Sequence, residues 1–599
     1  MRTPFVHLLL ALVVGAAGCS SDRTSFETKP VELGSPDAAV EEVDAGCVGL
    51  VCSRDLRSVH DCHGKVVKEC AADKACGKGV CIDPCEAAAL NEGSVGCSFA
   101  IPGAIKPEHT GSCTAFFVAN DWTSPATIRV THAGVEQPLD GAVWVPYVED
   151  GEVKHAKHEG PIPPGGAAVV FLSNEETGSI RNWVRCPLGV KPVFAKDLSV
   201  QGTKLGTAVF ASADVPVSMY SIYPYGGARS FIPSGTLLLP TTSFRKNYVA
   251  VSSWGGNGDR FGEGVIVPSN RQPQSGAPTL QIVAIEDDTA VELLPRVEIA
   301  GGGGIAPSAA SRVASFRLQR GEDLQLVQQK ELVGSIVESD KPVGMFGGHT
   351  CMRVPLGDVS YCDSDNKQIP PLSAWGHEYA VMPAPDRVRL VNGRGQRSNE
   401  LSVIRLVGAA NGTRLVYEPA RPTNAPDTLE SGQLARFFAS EPFVVRSQDA
   451  GHPFYAASVM TGQMGSKSAL GDPETAVGVP TDQWLDTYGF VSDHTFRHSA
   501  VYVTRRRSHG ALHDVTLDCA GVLTGWEPIT ADYEWTYVEL TRAKRPQTYP
   551  GGTCTDGAHR ISSEGPFTIS VWGISDAASY SYQGGTGLRR ATELYLPVR

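Results

Sequence analysis

The chain is poor in charge. Asp, Glu, Lys and Arg make up 19% of its 599 residues, against about 25% in average soluble domains. It contains no run of basic residues and no basic–aromatic stripe, and its formal net charge is −12, so nucleic acid is not expected as a partner. No hydrophobic run reaches the length of about 18 residues typical of a transmembrane helix, which excludes a polytopic helical membrane protein.

Familiar catalytic motifs are also missing. A zinc-protease HExxH motif fails because Val381 stands where the second histidine belongs. The glycine run 301–304 lacks the Lys-Ser/Thr of a phosphate-binding loop, and no G-x-S-x-G elbow occurs. We therefore expect no catalytic residues, no cofactor and no bound metal.

Three weaker patterns were considered for chemistry. Asp363-Ser364-Asp365-Asn366 resembles the opening of a calcium loop, but the later Gly and Glu are missing, so we interpret it as a turn. His509, His513 and Asp514 could group around a metal, but a polar loop is the simpler interpretation. His349 beside Cys351 suggests a Cys–His pair, which a disulfide would inactivate.

Glycine, proline and cysteine, by contrast, are plentiful. The 64 glycines and 41 prolines, together with many Val and Thr residues, favour short strands joined by turns. No long amphipathic helical pattern is visible. The composition predicts an all-β protein.

The N-terminus is typical of an exported lipoprotein. Arg2 precedes a mostly apolar stretch at 5–17, small residues follow, and Cys19 comes next, although Ala16 stands where such signals usually have leucine. We expect a signal peptide at 1–18, a lipid anchor on Cys19 and a disordered acidic tether at 19–46. Ser20 favours an outer-membrane lipoprotein, facing the surface or the periplasm. Ordinary secretory cleavage is the alternative and would make the protein extracellular.

Cysteines are concentrated after the tether. Without Cys19, 14 cysteines remain, an even number as disulfides require. We predict a small disulfide-stapled module at 47–97, with a helix near its end, because so short a segment buries little apolar surface. A zinc site using His60, Cys62 and His63 is the alternative. The eight cysteines of the module are Cys47, Cys52, Cys62, Cys70, Cys76, Cys81, Cys85 and Cys97.

Six cysteines lie beyond the module. Cys351 with Cys362 and Cys519 with Cys554 are close in sequence and are the preferred pairs. Cys113 and Cys186 then pair by elimination.

The region 98–599 repeats with a period near 110 residues. Each period has a polar turn followed by a proline, which we interpret as the first residue of a strand. A second signature, P-x3-[FW]-x3-Y, predicts a helical turn with its aromatics on one face. The turn prolines are Pro216, Pro342, Pro453 and Pro566, and the second signature begins at Pro240, Pro371 and Pro480.

About seven strands fit into each period. That number favours tandem β-sandwich-like repeats, preceded by the disulfide-rich module. A β-propeller with two blades per repeat is the alternative.

The residues from 339 to 379 resemble a known family. Ser339 to Cys351 reads S-D-K-P-V-G-M-F-G-G-H-T-C, then Cys362, Pro370-Pro371 and Trp375-Gly376-His377-Glu378-Tyr379 follow. This series is similar to the N-terminal domain of IgG-Fc-binding protein, best over about 230–460. The cysteine cluster and tether resemble those of exported δ-proteobacterial proteins. The resemblance implies extracellular binding or adhesion and supplies no site residues.

We therefore expect a non-catalytic surface lipoprotein that binds an extracellular protein or glycan, with a membrane contact through its lipid anchor. The insertions at 132–162 and 254–278 are candidate contact loops. The alternative is an exported hydrolase or carbohydrate-active enzyme on a β scaffold, which paired carboxylates in a concave pocket would favour.

Overall fold

The computed structural model describes residues 49–599 except 54, 106–109, 177–182, 230–231, 257–260, 262–275, 356–361, 394–397, 467 and 469. The predicted signal peptide 1–18, the predicted tether 19–46, the predicted lipidation site Cys19 and the module's Cys47 lie outside the described residues. Within the described part, no helix is both long and apolar enough to cross a membrane.

The cysteine-rich module consists of short strands, one helix and disulfides. Three bonds join Cys52–Cys76, Cys70–Cys81 and Cys85–Cys97. Cys62 is also disulfide-bonded, so its sulfur is not available to the zinc site considered with His60 and His63. The elements are β1 (Leu50–Cys52), β2 (Ser58–Asp61), β3 (Val66–Glu69), β4 (Ala75–Gly77), β5 (Val80–Ile82) and helix α1 (Pro84–Asn91).

Helix α1 begins where the sequence indicates. The Asp83 carboxylate accepts hydrogen bonds from the N–H groups of Cys85 and Glu86, and Pro84 occupies the first turn. This capping satisfies donors that have no partner within the helix.

Four similar units follow the module, and the first two are built from β6 to β22. The first repeat contains β6 (Gly96–Ile101), β7 (Thr114–Ala119), β8 (Ile128–His132), β9 (Val135–Gln137), β10 (Val143–Glu149), β11 (Glu152–Lys157), β12 (Ala167–Ser173), β13 (Lys204–Thr207), β14 (Val209–Tyr223) and β15 (Ser234–Leu238). The second contains β16 (Arg245–Val249), β17 (Pro278–Ala284), β18 (Thr289–Leu294), β19 (Ala314–Leu318), β20 (Glu322–Val327), β21 (Ile336–Met352) and β22 (Asp363–Ile369).

The third and fourth repeats complete the chain. The third contains β23 (Glu378–Val381), β24 (Ser402–Gly408), β25 (Thr413–Arg414), β26 (Val416–Glu418), β27 (Thr428–Leu429), β28 (Leu434–Ala439), β29 (Phe443–Arg446), β30 (Phe454–Met460) and β31 (Thr475–Val477), with helix α2 (Arg387–Asn392) between β23 and β24. The fourth contains β32 (Leu485–Ser492), β33 (His498–Arg506), β34 (Val515–Leu517), β35 (Gly521–Val522), β36 (Glu527–Pro528), β37 (Tyr533–Arg542), β38 (Arg545–Tyr549), β39 (Gly552–Cys554), β40 (Gly557–Ser575) and β41 (Ala578–Gln583).

Each repeat is a sandwich whose two sheets share one long strand or strand pair. In the second repeat, the first half of β21 pairs with β16 and β18, and its second half pairs with β17 and β22. In the first and fourth repeats the long strands β14 and β40 are shared between two sheets in the same way. In the third repeat the two strands β29 and β30 take the place of the one long strand. In the third repeat, buried side chains from both sheets form one core that includes Val445 and Ile404. The structure therefore confirms the all-β, sandwich-like repeats and not the propeller.

The turn prolines lie at the point where the chain passes from one sheet to the other. The interpretation as strand starts is wrong for Pro216, Pro342 and Pro566, which lie inside β14, β21 and β40, and holds for Pro453, which directly precedes β30. Pro342 lies between the residues that pair with β18, ending at Ser339, and those that pair with β17, starting at Val343. Neither sheet needs an N–H at that position, so proline is tolerated.

The P-x3-[FW]-x3-Y signature forms a 3-10 helix, as the spacing predicts, but its tyrosine lies in the strand that follows, so the two aromatics do not share one helical face. In the fourth repeat the Tyr488 hydroxyl accepts from the Leu485 N–H at 2.9 Å and donates to the Phe567 carbonyl at 2.6 Å. Phe567 directly follows Pro566, so the tyrosine ties its helical turn to the bend of the long strand. The 3-10 helices are Gly227–Arg229, Thr241–Ser243, Leu372–Ala374, Gln463–Gly465 and Thr481–Gln483.

The four repeats close into a ring of contacts. Neighbouring repeats share buried cores, and the first and fourth share one in which Phe117 and Tyr220 pack with Phe490 and Val501. After β41 the chain runs back over the second repeat, where Asn247 exchanges hydrogen bonds with the backbone of Leu596 at 2.8 and 3.0 Å. The last strand of each repeat faces the centre of the ring, since β15 contacts β22 and β41, and β31 contacts β22 and β41.

Candidate binding cleft

The first predicted contact loop is a strand hairpin and not an irregular loop. Residues 132–162 include β10 and β11, which pair from Trp144↔Lys157 to Glu149↔Glu152. His155 is half-buried, its Nε2 lies 2.7 Å from the Tyr225 hydroxyl, and burial lowers its pKa to about 4. Tyr147 remains exposed. The second loop, 254–278, falls largely outside the described residues, while Trp254 is fully buried.

Cys351 and His349, which the sequence suggests as a Cys–His pair, are buried residues with structural roles. Cys351 is bonded to Cys362. His349 is buried, its Nδ1 accepts from the Cys351 N–H at 3.0 Å, and its Nε2 lies 3.1 Å from the Gly255 carbonyl. Burial lowers the pKa of His349 to about 3, so the ring is a neutral component of the core.

The other cysteines beyond the module pair as Cys113–Cys186 and Cys519–Cys554. Asp518, Cys519 and His559 lie close enough for a metal site, but the Cys519 sulfur is bonded to Cys554. His559 Nδ1 instead lies 3.0 Å from an oxygen of Asp518. These residues therefore form a turn that is held by a disulfide and by one hydrogen bond between His559 and Asp518.

The acidic segment 363–366 is a buried strand, so its interpretation as a turn is wrong. It forms the start of β22 and pairs with β21, for example His349↔Asp365. The segment reads as polar because β22 carries the charges that join the repeats at the centre of the ring. A strand that buries polar side chains against other charges lacks the apolar pattern by which strands are recognised.

Lys367 of β22 is the clearest of these buried charges. Its Nζ donates to the carbonyls of Gly235 in the first repeat at 2.6 Å and Ser581 in the fourth at 2.8 Å. It also pairs with Asp365 at 3.3 Å and with Glu474 of the third repeat. Burial opposes the lysine charge, but the two carboxylates outweigh it and raise the pKa of Lys367. One ammonium group thus contacts all four repeats.

One cleft lies where the module, the first repeat and the fourth repeat meet. Its volume is about 310 Å³. The module supplies Asp55 to Arg57 and Gly93 to Val95, the first repeat supplies Asp121 and Trp122, and the fourth supplies the larger part of the wall. A concave site built from three parts of the chain is a typical location for ligand binding.

Asp121 is an acid of this cleft with a shifted pKa. Burial raises its pKa to about 6, although the Arg560 and Arg57 guanidinium groups oppose the rise. Its side chain is placed against Gly489, where an added Cβ would overlap the Asp121 carboxylate. The Tyr220 hydroxyl donates to the Gly489 carbonyl at 2.7 Å and so holds this strand in place. Only glycine at 489 leaves room for the acid.

The fourth repeat contributes positive charge to the same cleft. Arg506, Arg560 and Arg589 all line it, and Arg560 acts electrostatically on Asp121. Arg57 of the module donates to the Asp121 carbonyl at 2.6 Å and lies 3.9 Å from Asp55. Guanidinium groups can bind a carboxylate or another acidic group in two-point fashion.

The lining residues lack the arrangement needed for nucleophilic catalysis. Ser94 and Ser508 lie in the wall, and so does His509, but none of these hydroxyls is hydrogen-bonded to a histidine. An activated nucleophile needs an adjacent base within about 3 Å. Among the described residues the lining combines a protonatable acid with several arginines.

No local pattern in the sequence indicates this cleft. Asp121, Arg560 and Arg589 are far apart in the chain and belong to no motif, and only the closure of the ring brings the first and fourth repeats together. The Gly489 that faces Asp121 reads as an ordinary strand residue. A search for internal repeats identifies equivalent positions, but it does not tell which repeats contact each other.

Comparison with known proteins identifies one family. A model of the family described as IgGFc binding protein matches residues 234–573, more than half of the chain. The match runs from the last strand of the first repeat into β40 of the fourth. A search of the curated proteins found no match.

Proposed function

The chain belongs to the IgGFc binding protein family, and from this premise we propose that it binds an extracellular protein without chemically changing it. The cleft between the module and the first and fourth repeats is the proposed contact site. The observation that carries the proposal is the set of arginines around the partly buried Asp121, in a wall where no described hydroxyl is hydrogen-bonded to a histidine. Arginine is a frequent source of binding energy at protein interfaces.

The test is an array of purified extracellular proteins, an immunoglobulin Fc fragment among them, together with glycans. The probe is the labelled chain, compared with Arg589→Ala and Arg590→Ala. Arg589 lines the cleft, whereas its neighbour Arg590 is exposed and pairs with Glu593 at 2.6 Å. Both variants lose the same charge.

We expect at least one protein on the array to retain the chain. Arg589→Ala should weaken that binding at least tenfold, equivalent to about 1.4 kcal/mol, and Arg590→Ala should leave it unchanged. Equal binding by both variants would show that the cleft is not the contact site. Retention by glycans alone would exclude a protein ligand.

We also propose that the protein is held at the cell envelope by lipid on Cys19. The support is the sequence pattern of Arg2, the stretch 5–17 and the small residues before the cysteine. Metabolic labelling with a palmitate analogue should mark the wild type and leave Cys19→Ala unlabelled and released. A labelled Cys19→Ala protein would contradict lipidation at this site.

A second candidate function is glycan hydrolysis, and one observation favours it. The pKa of Asp121, raised to about 6, suits a general acid, and Asp486 and Glu564 line the same cleft. The test is release of reducing ends from a polysaccharide panel. Turnover that is abolished in Asp121→Asn would establish the enzyme, and its absence in the wild type would reject it.

A further inference from the structure

One strand of the third repeat lacks a neighbour that its counterparts have. In the first repeat the equivalent strand is β12, and β10 pairs with its outer side. In the second repeat β13 pairs with β20 in the same way, and in the fourth repeat β36 and β38 pair with β37. In the third repeat this strand is β28, which pairs with β24 and with no other described strand.

The difference has a simple origin in the chain. The covering strand of the second repeat, β13, comes from the first repeat, out of the segment that joins β12 to β14. The equivalent segment for the third repeat would join β20 to β21. That segment is only residues 328–335, which the structure describes in full and which form no strand.

Hydrogen bonds at the start of β28 show which of its groups face outward. The Gly408 N–H donates to the Gln433 carbonyl, and the Gly408 carbonyl accepts from Gly432. Bonding alternates along an antiparallel pair, so Ala435 and Phe437 bond to β24. Leu434 and Phe438 therefore direct their N–H and C=O groups to the open edge, where no other described residue bonds to them.

A groove of about 630 Å³ lies along the second half of this edge, from Arg436 to Ala439. On one side Phe438 stacks on Phe261 with ring centroids 5.3 Å apart. On the other side Phe443 and Pro422 form the wall. An added strand would meet this aromatic surface together with charged side chains, since Arg421, Arg436 and Glu441 line the same groove.

We propose that an extended segment of a protein partner adds to β28 as an antiparallel strand. The chain itself supplies the precedent, because β13 adds to β20 of another repeat in the same way, from Lys204↔Gln325 to Thr207↔Glu322. The partner segment is about four to six residues long, mainly apolar, and free of proline where it bonds to Leu434 and Phe438. Unpaired sheet edges recruit such strands. This inference rests on the proposed function and specifies a second contact for the same partner class.

The experiment selects ten-residue peptides from a random phage-displayed library on the full chain and titrates the selected peptides as synthetic probes. Phe438→Pro is compared with Phe438→Ala. Both remove the aromatic ring, and only proline removes the outward N–H, which β24 does not use. Leu434→Pro and Leu434→Ala form a second matched pair, and circular dichroism checks that each variant folds.

We expect the selected peptides to be mainly apolar and to bind Phe438→Pro at least tenfold more weakly than Phe438→Ala. Amide exchange at 434–439 should slow when peptide binds. Equal binding to both variants, no selected peptide, or protection of β28 by dimerisation without peptide would each overturn the inference. If the proline variants of β28 still bind the array ligand and Arg589→Ala does not, this inference fails and the proposed function stands. If the proline variants lose the ligand and Arg589→Ala still binds it, the cleft is rejected as the contact site and the β28 edge is retained.

Discussion

Single hydroxyl groups join distant parts of each sandwich. The tyrosine of the P-x3-[FW]-x3-Y signature bonds to the carbonyl of the residue after the bend proline in three repeats. The bonds are Tyr248 to Val343 at 2.7 Å, Tyr379 to Phe454 at 2.6 Å and Tyr488 to Phe567 at 2.6 Å. Two signatures that are separate in sequence are thus one structural device.

Tyr488→Phe should lower the free energy of unfolding. It removes one donor and leaves the buried Phe567 carbonyl without that bond, which costs about 1–3 kcal/mol. Chemical denaturation measures the loss. Tyr147→Phe, at an exposed position, should change stability by less than about 0.5 kcal/mol, and equal losses in the two variants would contradict the role of the bond.

Asp121 should make stability depend on pH. Burial raises its folded-state pKa to about 6 from 3.8, so the folded protein holds this proton more tightly than the unfolded chain. The resulting stability is complete below about pH 4 and is lost as the pH rises through 6, by about 3 kcal/mol in all.

Asp121→Asn, which stays neutral, isolates this effect. The wild type should lose stability relative to the variant between pH 4 and 6, as thermal melts across this range would show. Asp73→Asn removes a charge from an exposed site and is the control. A constant difference between wild type and Asp121→Asn would show that the acid is not perturbed.

At the scale of elements, disulfides connect segments that the sheets leave apart. Cys113–Cys186 spans 73 residues, and Cys351–Cys362 spans 11. By the loop-entropy relation, removing the first as Cys113→Ala/Cys186→Ala should cost about 4 kcal/mol and removing the second about 3 kcal/mol. Denaturation of both double variants tests the order, and a larger loss for the shorter loop would contradict it.

The sequence predicted elements well where the signal was local. The helix after Asp83, the helical turns at Pro240, Pro371 and Pro480, and the sandwich-like repeats all follow from caps, spacing and strand number. The turn prolines were misplaced because proline is allowed both at a strand start and at an unpaired bend. The strand at 363–369 was missed because its polar residues serve contacts between repeats.

The whole molecule depends on contacts that no local pattern encodes. Closure of the ring creates the cleft, and it buries Lys367 among groups of all four repeats. The cleft could not be predicted, because its residues become neighbours only when the first and fourth repeats meet.

Lys367→Met should destabilise the ring strongly. It leaves Glu474 and Asp365 buried without their cation, a loss of about 3–5 kcal/mol. Lys367→Met/Glu474→Leu removes the charge pair together and should recover part of the loss. If the double variant is as unstable as the sum of its two single variants, the charges do not act as a unit.

Binding without turnover is the central claim, and native mass spectrometry tests it most directly. An extracellular protein retained on the array is incubated with an equimolar amount of the chain. The account predicts a stable complex in which the ligand keeps its intact mass, and fewer complexes with Arg589→Ala. Ligand fragments, or no complex with the wild type, would contradict it.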